Sequence, residues 1–67
     1  MKFITLTSSP DSYYGKGEVE ITVNPEQIVM MADMSVYSHY ATEIKFTNMS
    51  VLLVEETVQE IIDMIKE

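Results

Sequence analysis

Four tyrosines and one histidine are the side chains of this sequence with the most to offer a ligand, and they gather in two short polar stretches. Tyr13 and Tyr14 lie in Ser8 to Gly17, SSPDSYYGKG, next to Lys16; Tyr37, His39 and Tyr40 lie in Ser35 to Tyr40, SVYSHY. A tyrosine offers a flat face for stacking and a hydroxyl for hydrogen bonding at low entropic cost, which suits a base, another aromatic ligand or a protein surface. Tyr13, Tyr14, Lys16, Tyr37, His39 and Tyr40 are therefore the expected ligand-binding residues. The competing reading is structural, with the rings folding back to cap the ends of a small core.

Catalysis finds little support in the same residues. A single histidine without cysteine or a close carboxylate pair makes a poor metal site and a weak general base, so His39 reads as a surface group able to donate to a phosphate or carbonyl beside Lys16. There is no Ser-His-acid order, phosphate loop or dinucleotide glycine motif. Glu18 and Glu20 resemble paired carboxylates, but they alternate with Val19 and Ile21 and belong to the wet face of a strand. A non-enzyme with no cofactor and no metal is expected.

Charge narrows the partners. The 67 residues carry a net charge of −7, with Lys2, Lys16, Lys45 and Lys66 the only cations and no arginine. Nucleic-acid backbones are held by clustered cations, so direct nucleic-acid binding is not expected. An acidic inhibitor that mimics nucleic acid is a further alternative, set against the plainer reading of a solvated acidic surface. No run approaches the roughly 20 apolar residues of a membrane span, and MKFITLTSSPD is too short and too interrupted for a signal peptide. The absence of cysteine fits a reducing compartment, so a cytoplasmic location without membrane contact is expected.

Two elements dominate the architecture. Val51 to Val54 is an unbroken apolar run of strand length, and Thr57 with Glu60 forms a capping box at the mouth of a helix. Val58, Ile61, Ile62 and Ile65 then recur at helical period, and Glu55, Glu56 and Glu60 sit where the helix dipole favours negative charge. Upstream, 3–7 and 18–23 alternate as strands, and Asn24-Pro25-Glu26 turns the chain. The apolar run 28–34 reads as a strand covered on both faces, and 42–46 alternates again before Asn48-Met49 leads into 50–54. The fold class is α+β in one domain: a small curled antiparallel sheet, or partly open barrel, of about five strands with one C-terminal amphipathic helix.

From Val19 onward the chain resembles the small flagellar FlbD/SwrD family. The likeness rests on Val23-Asn24-Pro25-Glu26-Gln27-Ile28, Ile44-Lys45-Phe46-Thr47-Asn48 and Val54-Glu55-Glu56-Thr57-Val58-Gln59-Glu60-Ile61-Ile62. A weaker likeness is to the strand pattern of LytTR DNA-binding domains, without their basic residues. The family has a glycine where this chain has Met49, and short connections where this chain has its two tyrosine-rich stretches. The resemblance implies a protein-interaction accessory of a flagellar or other cellular machine.

One helix cannot cover both faces of the central strands. If Val51 and Leu53 face the helix, Leu52 and Val54 point away, and Met30, Met31 and Met34 raise the same difficulty. These five residues are the expected homo-oligomer interface. The leading functional expectation is a non-catalytic homo-oligomer that binds a small molecule. By size and acidic character it is similar to phage anti-defence proteins that sequester a nucleotide-derived signal. The alternative partner is a host protein.

Overall fold

A computed structural model of the chain describes residues 2–10 and 19–67. Five strands, β1 (Ile4–Ser8), β2 (Val19–Val23), β3 (Ile28–Asp33), β4 (Thr42–Phe46) and β5 (Val51–Val54), are followed by one helix, α1 (Val58–Lys66). They form one sheet in the order β2-β1-β5-β4-β3 with every neighbouring pair antiparallel. The sheet is not closed, since β2 and β3 form its two edges.

The sheet has to curl, however. Four strand spacings in a flat sheet amount to about 19 Å, whereas only residues 24–27 join β2 to β3, and Pro25–Gln27 is coiled into a 3-10 turn. A 3-10 turn advances about 2 Å per residue, well short of that span. The end of β2 is thereby drawn toward the start of β3, and the concave side becomes the core. Asn24 starts the turn, its Oδ1 accepting the Glu26 amide at 3.0 Å, and proline supplies the fixed φ at the first position.

The core consists of Ile4 and Leu6 from β1, Ile44 from β4, Leu52 and Val54 from β5, and Ile61 from α1. Strand register explains the selection. Ile44 stands opposite Leu52, and Thr42 opposite Val54, so these residues share the concave face. The expectation that Leu52 and Val54 face away from the helix, at an oligomer contact, is thus overturned: both are buried inside the subunit, and Val51 and Leu53 occupy the outer face. An apolar run without alternation gives no phase; pairing with β4 supplies it. Met31, opposite Ile44, likewise points inward and packs against the core.

Strand β3 is an edge strand rather than a strand covered on both sides. Its pairing shifts between Ile28 and Met30, the mark of a bulge at Val29, and Val29 and Met30 are 63% and 48% exposed. Met34 follows the strand and is half-buried.

Helix α1 begins as its sequence predicts. The Thr57 hydroxyl oxygen accepts the Glu60 amide at 3.1 Å, and the Glu60 carboxylate accepts the Thr57 amide at 2.8 Å. Its buried face centres on Ile61 and includes Met64, while Ile65 at the edge of the expected stripe is exposed. No helix among the described residues is long and apolar enough to cross a membrane.

Candidate functional site

The loop from β3 to β4 contains three of the expected ligand residues. Asp33 organises its start, with Oδ1 accepting the Ser35 hydroxyl at 2.7 Å and the Ser35 amide at 3.0 Å. The hydroxyl bond, then the amide bond, lowers the Asp33 pKa below its ordinary value. The Met34 carbonyl then accepts the amides of Tyr37 and Ser38, each at 2.9 Å, and the Met34 amide donates to the Ala41 carbonyl at 2.9 Å. The loop is therefore a closed turn with its own hydrogen bonds. Its tip holds Val36 and Tyr37 out at 84% and 79% exposure; His39 is exposed and Tyr40 half-buried. Tyr13, Tyr14 and Lys16 lie outside the described residues.

A second site lies at the other end of the β3–β4 pair. A concavity of about 290 Å³ opens between the β2–β3 turn and the β4–β5 turn, floored by Val23 and Phe46 and rimmed by Asn24, Gln27, Thr47, Asn48 and Ser50. The two turns are tied together: the Thr47 amide donates to the Gln27 carbonyl at 2.9 Å, and the Thr47 hydroxyl donates to Gln27 Oε1 at 2.6 Å. Asn48 Oδ1 accepts both the amide and the hydroxyl of Ser50, at 3.0 and 2.6 Å.

These bonds decide what the rim can still do. With both carboxamide oxygens engaged, the amide orientations are fixed and the Gln27 and Asn48 NH₂ groups remain as donors. No lining residue is charged. The site thus offers an aromatic and aliphatic floor with neutral donors beside it, suited to an uncharged planar molecule bearing carbonyl-type acceptors. A smaller hollow of about 230 Å³ is lined by Lys2, Pro25, Glu26 and Ile65. Its opposed charges leave it without a distinct preference.

Sequence reasoning did not find the concavity. Asn24 and Asn48 read there only as turn formers, Gln27 and Thr47 carry no binding signal of their own, and only the curl of the sheet brings the two turns together. Among the described residues no group of three His, Asp or Glu side chains is placed to hold a metal ion. Comparison with protein-family models, curated proteins and solved structures finds no match to the chain.

Proposed function

We propose that the protein is a non-catalytic binding module that sequesters a small, planar, uncharged group in the concavity between its two turns. The observation that carries this reading is the pair of carboxamides, Gln27 and Asn48, which line the same concavity as Phe46 and whose oxygens are held by Thr47 and Ser50, leaving their NH₂ groups as donors. A nucleotide-derived ligand would enter by its base. With neutral lining and a net charge of −7, phosphates would gain little from this protein and would be left toward solvent.

Calorimetric titration with nucleosides and their phosphorylated and cyclic forms tests the reading. Binding of nucleosides at least as tight as that of the corresponding nucleotides is expected, with loss in Gln27→Leu. Heat changes that are absent for every compound, or unaffected by Gln27→Leu in a folded protein, would refute it.

A second reading is favoured by the exposed Val36–Tyr37 tip, because an aromatic and an aliphatic side chain presented together on a fixed turn form a compact protein-binding anchor. In that reading the module is an accessory of a larger assembly. Tyr37→Ser would abolish its partner contact while leaving nucleoside titrations unchanged.

A further inference from the structure

The outer face of the sheet, away from α1, carries two rows of side chains set by the strand register. One row runs Met30–Lys45–Val51 across β3, β4 and β5; the next runs Ala32–Glu43–Leu53 across the same strands. Met30 and Val51 are exposed and the other four residues are half-buried, so no element of the described chain fully covers this face. Glu43 and Lys45 point the same way from β4, two positions apart, and neither has an ion-pair partner among the described residues.

We infer that this face is an isologous interface for a second copy of the chain. A two-fold axis lying between the rows and running across the strands exchanges them. Lys45 of each subunit then meets Glu43 of the other, twice in the dimer. The same operation sets Met30, long and flexible, over Ala32, and Val51 over Leu53. The face is thus complementary to itself in charge, in side-chain size and in apolar content, which is what a two-fold contact demands of a single surface. A foreign partner would need the same pattern by coincidence. Two rows on three strands make a contact only about 10 Å wide across the strands, small beside standard interfaces, so the dimer forms weakly and dissociates on dilution.

Charge reversal tests this directly. Lys45→Glu and Glu43→Lys both change side chains that point off the sheet, and circular dichroism checks that each variant folds. Sedimentation at graded concentration is expected to show reversible dimerisation of the native chain. Each single variant should dimerise at least tenfold more weakly, since like charges then face each other at both contacts. An equimolar mixture of the two variants should recover dimers, because every contact in that pair again joins a lysine to a glutamate. A native chain that stays monomeric to millimolar concentration, single variants that dimerise like the native chain, or a mixture that fails to recover dimers would each overturn the inference.

Discussion

Met49 adopts φ of 73°, the left-handed region that disfavours every residue with a Cβ. The turn imposes it. Phe46 O accepts the Met49 amide at 3.0 Å and the Phe46 amide donates to Ser50 O at 3.0 Å, leaving Thr47, Asn48 and Met49 as a three-residue hairpin loop. Such loops place their third residue in the left-handed region, normally a glycine. Met49→Gly should therefore stabilise the protein by about 1 kcal/mol, the relief of side-chain strain exceeding the added entropy of the unfolded chain. Urea melts measure the difference, and a lower midpoint for the glycine variant would contradict it. At Asp33 the prediction concerns pH. Its folded pKa lies below the ordinary value of 3.8, so the stability it contributes is present above that value and is lost as pH falls through the folded pKa. Asp33→Asn should accordingly be less stable than the native chain near neutrality, with the gap narrowing on acidification below about pH 4.

At the scale of elements, Glu56 does more than complement the helix dipole, the role its position suggested. Its carboxylate accepts the Thr7 amide of β1 at 2.8 Å, and its carbonyl accepts the buried Thr42 hydroxyl of β4 at 2.7 Å. One residue before the helix cap thus fastens two strands. Glu56→Ala should cost about 1–3 kcal/mol by leaving the Thr7 amide unsatisfied, and Glu56→Gln, which keeps an acceptor, should cost less. Thermal melts of the two variants give the ordering; equal losses would mean that charge rather than hydrogen bonding holds the clasp. The contrast with Thr57 shows what a sequence can convey. The capping box was legible because its four groups lie within one turn of chain, and β4 was legible because Thr42 to Phe46 alternates cleanly. The facing of Leu52 and Val54 was not, since Val51 to Val54 is apolar throughout and its phase comes from a partner strand. The concavity was equally hidden, because it requires residues 24–27 to meet residues 46–50.

For the molecule as a whole, the weakest seam runs between β1 and β5. Register pairing there is confined to Ser8 opposite Val54, with the Ser9 amide donating to Leu53 O at 2.8 Å and the Glu55 amide to Thr7 O at 2.9 Å. By contrast β1 pairs with β2 over five positions and β4 with β5 over four. The sheet therefore consists of two hairpin-like halves, β1–β2 and β3–β4–β5, joined by a short seam, the Glu56 clasp and the shared core. Local stability follows the density of such ties, so the halves should differ in how readily they open. Amide exchange followed by mass spectrometry or NMR is expected to be faster in β2, an edge strand whose strand pairing is with β1 alone, than in β4, which is paired on both sides. Glu56→Ala should widen that difference by speeding exchange in β1 and β2 while leaving β4 near its native rate, since the carboxylate bonds β1 and not the β4–β5 pair. Uniform acceleration across all five strands would instead mean that the molecule opens only as a unit, and that the seam is no weaker than the core beneath it.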